Sequence, residues 1–272
     1  GEILASLRRL RSAHVDKRTY GQLAVVGGSR NYPGAIAMSV AAALHSGVGN
    51  VTAFVPQSLA AAFAARWPEA MWVGCPETDD GSIAMEAGLL IRQNVTRASA
   101  MLIGPGLGCE PETQALAADL IRESTVPLII DADALQPELV RTGTAPRILT
   151  PHQGEFVRIT NNAGGDLSDL RWSVPTVTVL KGPVTRVSVD DVVYHGIEGG
   201  PILARGGSGD LLAGLVGGRL AADPSDLAQA AAQGVYWHGR AAQRAARRHG
   251  ETAVRTTVLL AELNGALRDG NS

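Results

Sequence analysis

The sequence predicts an α/β fold whose mostly parallel sheet is covered by helices on both faces. Short runs rich in Val, Ile and Leu alternate with longer Ala-rich segments, the pattern of βαβ units. Those runs are apolar almost throughout, as strands covered on both faces are. Of the 272 residues, 45% are hydrophobic but only 4% aromatic, and 32 are glycine. Such a composition calls for an aliphatic core with many close backbone approaches.

In chain order, strands are expected over residues 23–26, 51–55, 71–73, 101–103, 128–130, 147–149 and 177–180. Helices are expected between them over 35–45, 58–66, 83–92 and 112–123. After Lys181 the pattern changes to a hairpin, 186–189 and 192–195, turning at Asp190-Asp191. From Asp210 the chain reads as helix over 211–222, 227–248 and 257–267. With no repeat and no low-complexity linker, residues 1–272 are expected to form one domain.

Charge and composition exclude several classes. A formal net charge of -2 offers no field for nucleic acid, and the Arg-rich stretch RAAQRAARR (240–248) reads as the solvated side of a helix. Cys75 and Cys109 lie far apart without ligand-spaced partners, so neither a zinc site nor a disulfide framework is expected. No apolar run reaches the roughly 20 residues that a membrane span requires. The N-terminal GEILASLRRLRSAH is amphipathic and basic and lacks a signal-peptide core, which makes a cytoplasmic enzyme the default expectation.

The polar and glycine-rich clusters follow the strands: Gly27-Gly28-Ser29, Gly104-Pro105-Gly106, Asp131-Ala132-Asp133 and Thr150-Pro151-His152. In open parallel sheets that edge is where ligands bind. The sharpest feature is GGSGDLLAGLVGG (206–218), in which Gly206, Gly207, Ser208 and Gly209 feed a helix starting near Asp210. Glycines let backbone N–H groups converge, and a helix N-terminus adds partial positive charge. Gly207, Ser208 and Gly209 therefore form a candidate anion hole for a transferred phosphate. Asp210 is the candidate catalytic base, against the plainer reading of a helix-capping carboxylate. Gly27, Gly28 and Gly34 do not have dinucleotide-fingerprint spacing, and no P-loop lysine is present. Gly34 and Ala35 can simply mark a helix start after Pro33.

Lys181-Gly182 ends an expected strand, where the lysine either reaches a phosphate or closes the strand as an exposed side chain. His152 is read as a ligand for a substrate hydroxyl or amide, or as a structural histidine. Glu155 is a candidate for holding Mg²⁺ through water or for pairing in a capping box. Asp131 and Asp133 have the same two alternatives, orienting metal-bound water or capping the next turn.

Taken together, KRTYGQLAVVGGSRNYPGA, GPGLG, DADAL, LTPHQGEF, VLKGPVT and GGSGDLLAGLVGG resemble the ADP/ATP-dependent NAD(P)H-hydrate dehydratases of the ribokinase-like superfamily. The matches run in order from about Lys17 to the terminal helices. The resemblance implies a three-layer α/β/α ribokinase-like fold around a mostly parallel sheet. It also implies a repair reaction, in which dehydration of the S-epimer of hydrated NADH or NADPH is coupled to ADP or ATP. On that basis Ala35, Gly106, His152 and Asp210 would contact the hydrated dinucleotide. Lys181, Gly182, Pro183, Val184, Thr185 and Gly209 would contact the nucleotide. Mg²⁺, a homotetramer, and a functional link to an NAD(P)H-hydrate epimerase are further implications, and the chain's start on Gly leaves a preceding epimerase domain open.

The chain departs from the family pattern at Gln153, where proline is usual, and at Gly200-Pro201-Ile202-Leu203-Ala204-Arg205 before the anion hole. The segment TNNAGGDLSDLRWS is short for an intervening helical pair. Arg205 is placed either against a phosphate or toward solvent. Two other function classes share parts of the motif set: a ribokinase-like kinase of a vitamin precursor or sugar hydroxyl, and a non-catalytic nucleotide sensor.

Overall fold

A computed structural model describes residues 2–8, 17–162, 164, 167 and 172–269. Nine strands form one sheet: β1 (Gln22–Val26), β2 (Asn50–Pro56), β3 (Met71–Cys75), β4 (Ala100–Ile103), β5 (Leu128–Ile130), β6 (Arg147–Leu149), β7 (Thr176–Leu180), β8 (Thr185–Val189) and β9 (Val192–Gly196). Their order is β3-β2-β1-β4-β5-β6-β7-β8-β9. All pairings from β3 through β7 are parallel, and the hairpin β8–β9 adds antiparallel to β7. The strand order reverses between β1 and β4, which opens a crevice at their C-terminal ends.

Eight α-helices complete the described fold: α1 (Pro33–His45), α2 (Gln57–Arg66), α3 (Ala87–Val95), α4 (Pro111–Glu123), α5 (Gln153–Thr160), α6 (Ser208–Ala222), α7 (Leu227–His249) and α8 (Val258–Arg268). One face of the sheet presents Leu23, Val25, Val51, Leu102, Ile129 and Val179 to residues of α1, α2, α6 and α7. The other presents Ala24, Val26, Phe54, Met101 and Ile130 to α3, α4 and Ile159 of α5. Alternate residues of each strand thus enter opposite cores, which explains the unbroken apolar runs. A third cluster, including Leu211, Trp237, Ala241, Leu259 and Leu263, joins α8 to the outside of α6 and α7.

Helix α3 starts four residues later than the apolar pattern predicts. Ile83 belongs to a β-bridge with Glu77, and Thr113 Oγ1 donates to its carbonyl at 2.8 Å, so its backbone serves a turn while its side chain stays in the core. The N-terminal stretch expected to be amphipathic forms a 3-10 helix over Glu2–Arg8 with Leu4 buried; its continuation lies outside the described residues. The same holds for most of TNNAGGDLSDLRWS.

At the edge away from the crevice, Arg147 is fully buried, and no carboxylate among the described residues pairs with it. Its guanidinium donates instead to the carbonyls of Val140, Thr142, Gly143 and Ala145, pinning the loop before β6. Along their length, α1 and α6 lie in close contact because glycines face α1. A Cβ at Gly214 would collide with the backbone carbonyl of Ser39, and one at Gly218 with the Ser46 hydroxyl. Ser39 Oγ donates to Asp210 O at 2.9 Å, which fixes the start of α6 against α1.

Gly214→Ala is expected to lose about 1–3 kcal/mol of stability, because backbone cannot yield as a side chain does. Gly34→Ala, where nothing lies within 4 Å of an added Cβ, is expected to be neutral or to gain up to about 1 kcal/mol. Urea unfolding of both variants checks the pair, and equal effects would contradict the packing argument.

Candidate active site

Five adjacent strands, β1, β4, β5, β6 and β7, deliver their terminal residues to one edge. At β1 and β4, Gly28 N donates to Pro105 O at 2.9 Å. Gly28 has φ +79° and Gly106 φ +64°, conformations that favour glycine. A Cβ at Gly106 would meet Tyr32 O and lie 3.0 Å from the Ala35 Cβ. Ala35 and Gly106, expected to share a ligand, are therefore neighbours, and Ala35 sits one turn before Ser39 on α1. Asp133 accepts from Gly108 N at 2.9 Å, and Gln114 Nε2 donates to the carbonyls of Gly108 and Asp133. Asp133 thus holds the GPGLG loop to the end of β5.

The charged centre lies at β5, β6 and β7. Asp131 is 1% exposed and accepts from Thr150 Oγ1 at 2.6 Å and from Lys181 Nζ at 3.0 Å. Lys181 N donates to Pro151 O at 2.8 Å, so the lysine continues the strand ladder while its side chain turns into the site. The side chain is largely buried, not an exposed strand end. Burial opposes its charge, but Asp131 and Glu155, with Asp210 beyond, raise its pKa above the ordinary lysine value.

Glu155 and His152 form a capping box at α5. His152 Nδ1 accepts from Gly154 N and Glu155 N at 3.0 and 3.2 Å, while Glu155 Oε2 accepts from His152 N at 2.7 Å. That bonding assigns the imidazole proton to Nε2 in the neutral ring. Glu155 also lies 3.9 Å from Lys181 Nζ. Burial raises its pKa, while Lys181 draws it back down. Both residues therefore have a structural function whatever else they contact.

Helix α6 begins with Ser208 after Gly207, whose φ of +85° is left-handed. A Cβ at Gly207 would strike Met38 Sδ, and one at Gly209 would lie 3.3 Å from Lys181 Nζ. Gly207, Ser208 and Gly209 therefore surround the first turn of α6 with the lysine alongside. Asp210 stands in that first turn and makes no side-chain cap; Gly207 is the N-cap residue. Burial pushes the Asp210 carboxyl up to about 6, with Asp131 adding to the rise, Lys181 opposing it, and Asp133 and Glu155 contributing further. A carboxyl with that value can accept a proton near neutral pH.

A cavity of about 580 Å³ opens beside this centre, within the usual range for small-molecule sites. Lys181, Gly182, Pro183, Thr185 and Gly209 line it, whereas Val184 is exposed and is not part of its wall. His152 also faces this cavity, apart from the Ala35–Gly106 corner with which it was grouped. Arg205 turns away: its guanidinium donates to the carbonyls of Glu251 and Thr252, so it braces the loop after α7 and contacts neither solvent alone nor the anion hole. Sequence reasoning missed Ser39, Glu198, Leu212 and His238. Only His238 left a signal, as a polar residue on the Ala-rich stripe of α7 that includes Ala231, Ala241, Ala242 and Ala245. Among the described residues, no group of three or more His, Cys, Asp or Glu side chains is arranged to hold a metal, and no helix is long and apolar enough to cross a membrane.

A mostly parallel sheet carrying a lysine, buried carboxylates and a Gly-Ser-Gly-Asp helix start at one edge places this chain in the ribokinase-like class. Within that class, the model of the NAD(P)H-hydrate dehydratase family matches residues 23–264. The chain belongs to that family. It is 36% identical over 276 residues to the bifunctional NAD(P)H-hydrate repair enzyme Nnr of Moorella thermoacetica, covering 96% of this chain and 52% of that one. It is 32% identical over 264 residues to the ADP-dependent (S)-NAD(P)H-hydrate dehydratase of Xanthomonas campestris, covering 93% and 90% respectively. The chain thus spans about half the length of the bifunctional relatives it matches. The crystal structure of the ADP/ATP-dependent NAD(P)H-hydrate dehydratase of Bacillus subtilis, co-crystallised with ATP/Mg²⁺, superposes with a TM-score of 0.79. It has 27% identity to this chain and the match covers 94% of this chain and 92% of that one.

Lys181→Met leaves the buried Asp131 carboxylate paired only with Thr150, and is expected to lose about 3 kcal/mol at pH 7. Adding Asp131→Asn should recover part of that loss in urea unfolding; an equal or larger loss would contradict the pairing. Asp210 titrates higher in the folded chain than the ~3.9 of an unfolded one. Its ionisation therefore costs stability progressively as pH rises from about 4 through about 6. Asp210→Asn should be more stable than the native chain by about 1–2 kcal/mol at pH 7, with the difference vanishing near pH 4.

Proposed function

We propose that this chain dehydrates the S-epimer of hydrated NADH or NADPH, coupling the reaction to consumption of ADP or ATP and release of phosphate. The observation that carries the reading is Asp210, held with a pKa of about 6 in the first turn of α6 beside Lys181. Family membership supports the substrate class, and the names of the Xanthomonas and Bacillus relatives support the nucleotide.

Asp210 takes the proton of the C6 hydroxyl as that oxygen attacks the terminal phosphoryl group of the nucleotide, whose bond to the bridging oxygen breaks so that AMP leaves from ADP, or ADP from ATP, with the bonding electrons. The N–H groups of Gly207, Ser208 and Gly209, with the Lys181 ammonium, hold the negative charge that builds on the phosphoryl oxygens. The C6–O bond then breaks, phosphate leaves with both bonding electrons, and the ring nitrogen's lone pair supplies the electrons at C6. Loss of a ring proton restores the dihydronicotinamide. Lys181, Gly182, Pro183, Thr185 and Gly209 line the cavity assigned to the nucleotide, with Val184 on its outer side. Ala35 and Gly106 are assigned to the hydrated dinucleotide, and His152 lies at the cavity wall with its Nε2 3.5 Å from Glu155 Oε1.

Mg²⁺ fits this site as an ion carried by the nucleotide phosphates and supplies charge neutralisation there. Glu155 and Asp131 are committed to His152 N, Thr150 and Lys181, which leaves water-mediated contact with Glu155 as the fitting protein contribution. A single catalytic unit over residues 1–272, a homotetramer, a cytoplasmic setting and an epimerase supplying the S-epimer belong to the same proposal.

The test follows the dihydronicotinamide absorbance after mixing the protein with hydrated NADH, Mg²⁺ and ADP or ATP. Recovery is expected only with nucleotide, and Asp210→Asn should reduce turnover by about 10²–10⁴-fold while nucleotide still binds. The acid limb of kcat/KM should fall near pH 6. Near-normal turnover by the variant would overturn the role of Asp210. A phosphorylated product that persists would favour a small-molecule kinase instead.

A further inference from the structure

The mechanism above makes no use of His238, a titratable side chain buried beside the anion hole. It projects from the middle of α7 and is 5% exposed, as is Ser208 at the first position of α6. His238 Nε2 lies 3.5 Å from Ser208 Oγ, and both residues line the cavity that holds Lys181. Its neighbours on the buried stripe of α7, Ala241 and Ala242, are small and apolar, so His238 is the polar side chain that this stretch of the helix presents to the cavity. Burial, with Lys181 adding to it, pushes its pKa down to about 4, so the ring carries a single proton at neutral pH.

We propose that His238 is a positioning residue for the phosphate cradle, donating from Nε2–H to Ser208 Oγ so that the Ser208 O–H donates to a phosphoryl oxygen. A serine hydroxyl has one proton and two lone pairs. In a buried position without a donor behind it, the hydroxyl can equally turn its proton toward the imidazole, and an incoming phosphate then faces an oxygen lone pair. With the Nε2 proton behind it, the hydroxyl has one favourable orientation, toward the anion. The arrangement places a polar donor in the cradle without adding a second charge beside Lys181, and it keeps the hydroxyl orientation fixed before the phosphate arrives.

This inference rests on the nucleotide reading of the cavity, but its test requires no hydrated dinucleotide. Binding of ADP and of adenosine is measured by calorimetry on the whole chain for the native protein, His238→Leu, His238→Gln, Ser208→Ala and the His238→Leu/Ser208→Ala double variant. Thermal unfolding of each confirms that it is folded. The expected result is that His238→Leu weakens ADP by about tenfold, the scale of a hydrogen bond to a charged group, and leaves adenosine unchanged. His238→Gln, whose Nε2 donors can replace the imidazole N–H, should restore most of the ADP affinity. The double variant should bind ADP no more weakly than Ser208→Ala alone. Equal weakening of ADP and adenosine would mean that His238 merely shapes the cavity and would overturn the proposal. So would unchanged ADP binding in His238→Leu, or losses that multiply in the double variant. Failure of the native chain to bind ADP would overturn the nucleotide reading and this proposal with it, whereas normal native binding with an unaffected variant rejects only the role of His238.

Discussion

The contact between Lys181 and Asp131 is the interaction around which the active edge is organised. A carboxylate as buried as Asp131 is tolerable only when its charge is met and its lone pairs are occupied. Lys181 and Thr150 both meet Oδ1, and they follow β7 and β6, so the ends of three neighbouring strands are tied through one oxygen. The lysine is in turn held by its own backbone bond to Pro151 O and stands against Gly209. The anion hole, the capping box of α5 and the strand ends therefore share one positive charge. At this contact a Cβ on residue 209 would lie 3.3 Å from Lys181 Nζ, so glycine gives the lysine its room.

One positive charge among four carboxylates also explains how Asp210 acquires its chemistry. Asp131 takes the shortest contact to the lysine and satisfies it, leaving Asp210 buried with the net repulsion of Asp131, Asp133 and Glu155. An aspartate with the lysine to itself would be held below the usual carboxylate range and would make a poor base. The competition for Lys181 therefore separates two roles: Asp131 ties the strand ends together, while Asp210 remains able to take up and release a proton near neutral pH. Ser39 and Gly214 secure the geometry by holding the start of α6 against α1, which carries the Ala35 corner of the site.

Much of this was legible in the sequence because the strands are buried on both faces. Residues such as 128–130 and 101–103 read as unbroken apolar runs, and the polar clusters after them had to lie at a common edge once the sheet was parallel. GGSGD marked the start of α6 beside Lys181 for a local reason, since Gly207 has a left-handed φ there and Gly209 lies close to the lysine. What stayed hidden depends on contacts remote in sequence. Ile83 looks helical until Thr113 claims its carbonyl. Arg205 adjoins the anion hole in sequence, yet the loop at Glu251 and Thr252 draws it away. His152 and Glu155 suited a ligand and a metal by type, and local spacing shows them occupied as a capping box as well. Val184 sits among cavity residues in the chain but is exposed, in the bend between β7 and β8.

In the proposed reaction the hydroxyl of the hydrated ring leaves through phosphoryl transfer onto its own oxygen, with Asp210 as the base. Hydrated NADH labelled with ¹⁸O at the C6 hydroxyl tests this most directly, in unlabelled water with ADP or ATP. The phosphate released should carry the label in proportion to the dihydronicotinamide restored. Label appearing in water, with unlabelled phosphate, would mean that nucleotide hydrolysis and dehydration are separate events and would contradict the account.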